Sequence, residues 1–578
     1  MIFLVVVSMP NLLVFEGQNE NIMTNTFNFD FYRWEQETPN AAFLRQPFGD
    51  TWETWTWAEA GHKARKMANA LRDLNLPPRS HIGLVSKNCR EWIVADIAII
   101  MAGHVSVPFF ATLTGKQIAQ VLELGDVAAL FVGKTEVWED MKTGVPDDMP
   151  VITFPHYEGN SRIDRGQQWN DIMEKYDPIE KVADLKLDDI WTIIFTSGTT
   201  GTPKGVMLDY KTAESAKIPI QTTNPLKVDL NGNNRFFSYL PLNHIAERLV
   251  VELGVMAYGG TVSFAESLTT FAKNLSETRP TIFFGVPRIY TKFQQGILSK
   301  MPQERLNTLL RIPIISGIIK KKIRVGLGLN DSRVWVSGAA PLPEPTKEWF
   351  SKIGIDITNV YGMSENCAIC TLLDSKIKNK KGSVGRGHSG VQLKIDEASG
   401  EILNKGPYLM RGYYNNPEKT AEVIDANGWL HTGDQGYIDD EGFLFITGRV
   451  KDTFKTAKGK YIVPSPIEER FVSNTNIEQL CLVGLGCAQP NLLVNLSEAG
   501  AARSREELIA SLSDTLKNAN TDLPNYQKVS TIIVTKDTWT VDNNLVTPTL
   551  KVKRNKVDQR YLNDVLKWEE QSDKVIFE

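Results

Sequence analysis

The chain has 578 residues, 42% hydrophobic and 23% charged, with a formal net charge of −4. That length exceeds one ordinary domain and leaves ample apolar material for real cores, while the near-neutral balance excludes the global basic field of a nucleic-acid binder. Five cysteines in so long a chain exclude a disulfide framework and point to a reducing compartment.

At the start, the apolar run Ile2 to Val7 is too short to span a bilayer and has no positive region before it; Met9 and Met23 are alternative starts. "WAEAGHKARKMANALRDLNL" from Trp57 has helical apolar spacing, and "HIGLVSK" from His81 reads as a strand. "WIVADIAIIMAGHVSVPFF" from Trp92 contains Asp96, Gly103 and His104, so it reads as a buried helix running into a strand rather than a membrane span. "VAALFVGK" from Val127 and "TIFFGV" from Thr281 are further strands. This alternation predicts an α/β fold with largely parallel sheets. From about Val384 the texture turns to short β-segments punctuated by Gly, Asn and Asp, then to a compact tail of mixed α and β ending in "TPTLKVKRNK". The change of texture puts a domain boundary near Arg449 to Lys451. Cys367 and Cys370 form a C-x-x-C, but no second pair or suitably spaced histidines accompany them, so two incidental thiols are expected.

The chemistry concentrates in "WTIIFTSGTTGTPKGVML", Trp191 to Leu208. Trp191 to Phe195 is a short β-branched run that predicts a buried strand. Thr196, Ser197, Gly198, Thr199, Thr200, Gly201 and Thr202 then supply hydroxyls and accessible backbone N–H groups, which suit a phosphate-wrapping nest that is mobile before nucleotide binds. Lys204 adds a mobile point charge for the same phosphates. The loop is not a Walker A, because Pro203 stands where that motif needs Gly and Gly205 follows the lysine. Gly133-Lys134-Thr135 fails too, since Ala128 occupies the earlier glycine position.

"TSGTTGTPKGVML" resembles the signature of the adenylate-forming enzymes, a family that includes acyl-CoA synthetases, luciferases and peptide-synthetase adenylation domains, and the resemblance continues in order from about Trp57 to Lys556. It implies a large N-terminal domain of parallel α/β sheets with a β-rich subdomain (1–448), a hinge (449–451) and a small mobile α+β C-terminal domain (452–578). It also implies ATP, Mg²⁺ and coenzyme A as cofactors and co-substrates. In "VSGAAPL", Gly338, Ala339 and Ala340 match the residues packed on adenine; in "NVYGMSE", Asn359, Tyr361, Ser364 and Glu365 match groups at the base edge, the adenine face, the α-phosphate and Mg²⁺. Asp434 and Arg449 match the ribose contacts, His244 of "YLPLNHIAER" the junction of carboxylate, adenylate and thiol, and Lys451 the hinge. Lys551 matches the catalytic lysine, with Lys204 beside the phosphates; Leu550 replaces the usual preceding Gly, and Lys553 is the competing register.

Two stretches, "SYLPLNHIAER" with Glu247-Arg248 and "TIFFGVPRIYTKF", are similar to the long-chain fatty acyl-CoA synthetase branch. The implied reaction is activation of a medium-to-long fatty acid to acyl-AMP, then transfer to coenzyme A. Aryl or short-chain ligases, fatty acyl-AMP ligases loading a carrier protein, and an inactive nucleotide sensor are the alternatives. No nucleic-acid partner is expected, the expected location is cytoplasmic, and peripheral membrane contact and the choice between monomer and homodimer stay open.

Overall fold

A computed structural model describes residues 27, 29–196, 202–372, 377, 380–540, 543–547, 551–569, 571 and 573–578. Ser197, Gly198, Thr199, Thr200 and Gly201 lie outside them, and with them the expectation about the loop's mobility.

The largest sheet has eight strands, in the spatial order Gly412–Tyr413, Lys204–Asp209, Ile190–Thr196, Val105–Phe109, His81–Val85, Val127–Val132, Val151–Thr153, Gln167–Gln168. From Ile190–Thr196 outward the pairing is parallel, as the alternating α/β pattern predicts. The helix Trp57–Asp73 starts at a capping box in which Thr56 and Glu59 satisfy each other's backbone N–H groups, and it buries Ala60, Ala64, Met67, Ala68 and Leu71 along one stripe. Helix Arg90–Ala102 is buried on every side and stops at Gly103, whose φ of 82° needs a residue without Cβ. The run from Trp92 is thus an interior helix followed by an interior strand.

A separate parallel three-stranded sheet is formed by Ile282–Phe284, Val334–Ser337 and Ile357–Asn359. An antiparallel four-stranded sheet follows: Gln392–Ile395, Glu401–Lys405, Leu430–Ile438 and Leu444–Arg449. A short 3₁₀ turn, Val450–Asp452, leads from its last strand into a separate C-terminal domain. There a four-stranded sheet carries helix Arg505–Ala519 on one face, through Leu512 and Leu516, and helix Arg554–Glu569 on the other, through Val557, Tyr561 and Val565. Cys367 and Cys370 are buried free thiols, that of Cys367 pushed up to about 12 by burial.

Candidate active site

Strands Ile190–Thr196 and Lys204–Asp209 are antiparallel neighbours in which Thr196 pairs with Lys204. This pair opens into a cavity of about 2370 Å³ whose wall includes Thr196, Lys204, His244, Ala339, Ala340, Asn359, Tyr361, Ser364, Glu365, Asp434, Arg449, Lys451 and Lys551. Residues more than 300 positions apart in sequence therefore face one volume. Gly338 is not on that wall. It stands one layer behind, where a Cβ would come within 2.9 Å of Val360 Cγ2.

Asp434 and Arg449 are cross-strand partners, and Arg449 Nε meets Asp434 Oδ1 at 2.9 Å. The Tyr361 hydroxyl donates to Asp434 Oδ2 at 2.6 Å, and burial followed by the Asp434 charge holds the phenol well above its usual range. Asn359 ends its strand with Oδ1 buried and without a partner among the described residues, which leaves an acceptor for a ligand N–H at the cavity wall. Ala339 holds a left-handed φ of 66° and Cys367 one of 52°, so both turns beside the cavity carry backbone strain of the kind that clusters at binding sites.

Glu365 sits in the 3₁₀ turn Ser364–Asn366, and its Oε1 accepts from the Tyr413 hydroxyl at 2.8 Å. Tyr413 belongs to the two-residue strand paired to Lys204–Asp209, and Lys204 Nζ stands 4.9 Å from its ring centroid. This tyrosine ties the two charged groups together, yet in the sequence it was only one letter of a turn-rich stretch; strand pairing alone reveals its role. Among the described residues no group of three or more His, Cys, Asp or Glu could cage a metal ion. A lone carboxylate oxygen suits Mg²⁺, which keeps several waters and takes its other ligands from phosphates, so the donor set fits that ion at Glu365.

His244 caps the short helix Ile245–Glu247, and its Nδ1 accepts the Ala246 N–H at 3.3 Å, which puts the ring proton on Nε2. Burial, then the Lys551 charge, pushes its pKa down to about 4, so the imidazole is neutral near pH 7. Lys551 enters from the C-terminal domain; enclosure by the cleft and the Arg449 charge lower its pKa, and Asp434 opposes them. Lys553 instead donates to Asn544 at 2.6 Å within its own domain. Lys451 is exposed in the turn between the domains.

Beyond His244 the chain continues as Ile245–Glu247, a π-helical stretch Arg248–Leu253, and Gly254–Tyr258. Ile245, Leu249, Val250, Leu253 and Ala257 of these segments line an apolar arm of the cavity. Glu247 and Arg248 point away from it. Burial pushes Glu247 up to about 8, while Arg248 pairs with Asp96 at 2.8 Å and Glu252 at 3.0 Å, with all three side chains at most 1% exposed. The pair is scaffold beneath the arm, not its lining.

A family model described as AMP-binding enzyme matches residues 31–414, and one described as AMP-binding enzyme C-terminal domain matches residues 451–572. The chain belongs to the AMP-binding enzyme family. Within this family it is 28% identical to the long-chain-fatty-acid–CoA ligase ACSBG2 of Mus musculus, over 89% of this chain and 88% of that one. It is 26% identical to the long-chain-fatty-acid–CoA ligase FadD15 of Mycobacterium tuberculosis, over 95% and 97%. Among solved members, the anthranilate CoA ligase AuaEII in complex with anthranoyl-AMP superposes with a TM-score of 0.76 at 19% identity, covering 95% of this chain and all of that one. The o-succinylbenzoate CoA synthetase of Bacillus subtilis, holding its acyl-adenylate, gives 0.71 at 22% over 92% and 98%. These structural likenesses establish the adenylate-forming fold; they carry no substrate across.

Proposed function

We propose that the protein is an AMP-forming ligase that activates a medium-to-long-chain fatty acid and passes it to coenzyme A. The observation that carries the acyl reading is the apolar arm. From His244 to Tyr258 the helical path covers somewhat less than the roughly 20 Å that about 1.5 Å per residue would give, because the π-helical stretch rises less per residue, which suits an extended chain of about 15 carbons, given C–C bonds near 1.5 Å that advance about 1.25 Å each. Apolar walls reward each added methylene by about 0.8 kcal/mol until the arm ends.

In the first half-reaction the carboxylate attacks the α-phosphorus of ATP, forming the acyl-AMP anhydride and releasing pyrophosphate. Lys204 and the adjoining Ser/Thr/Gly sequence hold the β- and γ-phosphates. Lys551 bridges the attacking carboxylate and the α-phosphate, where its charge offsets the negative charge that develops. Asp434 accepts the ribose hydroxyls beside Arg449, and Asn359 Oδ1 takes an N–H from the base. Glu365 holds Mg²⁺, which when bound neutralises phosphate charge. In the second half-reaction the thiol of coenzyme A attacks the acyl carbon and AMP leaves. Turning about Lys451 withdraws Lys551 and opens the site for that step.

The test is pyrophosphate release across acids from C2 to C18 and benzoate, with and without coenzyme A. Turnover that peaks at long chains and needs coenzyme A supports the proposal. A benzoate optimum makes it an aryl ligase, adenylate accumulation indifferent to coenzyme A makes it a carrier-loading ligase, and no release with any acid leaves a nucleotide sensor.

A further inference from the structure

The helix Pro313–Gly326, with the sequence PIISGIIKKKIRVG, buries none of its residues completely. Ile319 and Ile323 turn inward onto the core formed with Phe283 and Tyr290. The opposite face carries Ile314, Ile318 and Val325 at 80%, 60% and 50% exposure, with exposed Lys321 completing the same i, i+4, i+7, i+11 stripe. Of the sixteen large hydrophobic side chains exposed among the described residues, five lie between 312 and 325, so the apolar exposure is concentrated and not scattered.

The charge on this segment has one sign. Residues 305–330 contain Arg305, Arg311, Lys320, Lys321, Lys322 and Arg324, and no Asp or Glu. Exposed isoleucines on one stripe, flanked by lysines on a helix that has no acidic residue of its own, are the composition of a helix that lies in the plane of an anionic bilayer surface. A protein partner that covered the isoleucines would also need acidic groups against every lysine, whereas a lipid surface supplies both features at once. No helix among the described residues is long and apolar enough to cross a membrane, so contact here would be interfacial.

The position adds a reason for such contact. The sheet containing Ile282–Phe284 turns Phe283 toward the core under this helix and Ile282 and Phe284 toward the cavity. The helix therefore lies one sheet from the cavity.

We infer that the helix Pro313–Gly326 is a docking surface for anionic lipid bilayers, with Ile314 and Ile318 entering the acyl boundary and Lys321 and Lys322 meeting the headgroups. The inference needs neither a fatty acid nor catalysis, so it stands or falls separately from the activity.

Co-sedimentation of the full-length protein with phosphatidylcholine vesicles, with and without about one third phosphatidylserine, tests it. Binding should need the anionic lipid and weaken with added salt. Ile314→Glu with Ile318→Glu, and separately Lys321→Glu with Lys322→Glu, should each lower the partition coefficient at least about tenfold, with the melting temperature unchanged because all four side chains are exposed. Equal binding to uncharged vesicles, no binding, or wild-type binding by both variants overturns the proposal. So does sedimentation velocity showing a dimer that the isoleucine variant dissolves while vesicles capture nothing, which would make the face a homotypic interface.

Discussion

The hydroxyl of Tyr413 donates to Glu365 Oε1 at 2.8 Å. The same ring lies against the Lys204 ammonium, 4.9 Å from its centroid, so one side chain orients both the carboxylate proposed for Mg²⁺ and the lysine proposed for the phosphates. Tyr413→Phe keeps the ring and removes the hydrogen bond. A hydrogen bond to a charged group contributes about 1.5–3 kcal/mol, so kcat/KM for ATP should fall about tenfold or more, with a higher Mg²⁺ requirement. Pyrophosphate release during a Mg²⁺ titration measures both, and an unaltered Mg²⁺ curve would remove the positioning role.

Both lysines line the cavity, but Lys553 is held by Asn544, whereas Lys551 acts on Arg449, Asp434 and His244. Lys551→Ala should slow adenylation by about 10²–10³-fold, the scale for removing one preorganised charge donor, and leave the thermal unfolding midpoint unchanged. Lys553→Ala should keep most of the activity. If the two variants exchange these phenotypes, the catalytic lysine is the other one.

His244 is held near 4, below its ordinary 6.5, mainly by burial and then by Lys551. The unfolded chain therefore takes up this proton first, so the group's contribution to stability is complete above about pH 6.5 and is lost as pH falls through about 4. In Lys551→Ala the repulsion disappears and the imidazole should titrate higher, though still below 6.5 because the burial remains. Titration of the ring resonances by NMR in both proteins checks the order, and identical values would show that Lys551 does not act on His244.

Arg248 lies under the apolar arm between Asp96 and Glu252, stacked on Trp191 with its guanidinium carbon 4.4 Å from the ring centroid. Arg248→Ala leaves two buried carboxyls without their cation, which should cost about 3–5 kcal/mol of stability. Urea unfolding reads this directly. A loss under about 1 kcal/mol would mean that the cluster relaxes or admits water.

The order of elements, the α/β class and the residues that resemble an adenylation site were legible along the chain, because each rests on local signals. The helical apolar spacing from Trp57, the β-branched run before the hairpin and the clustered Ser, Thr and Gly all act within a few residues. Asn359, Asp434, Arg449 and Lys551 could be named one by one, but their shared cavity depends on strand pairing and on the approach of a second domain. Tyr413 escaped notice for the same reason: its importance comes from a neighbour strand that brings it to Glu365 and Lys204. Glu247 and Arg248 show the reverse case. They were legible as a motif, yet only burial shows that they brace the helix while its other face lines the arm. The Ile/Lys helix belongs with them, since its periodicity permits either a core helix or a surface one, and only the core contacts of Ile319 and Ile323 decide which face is left to solvent.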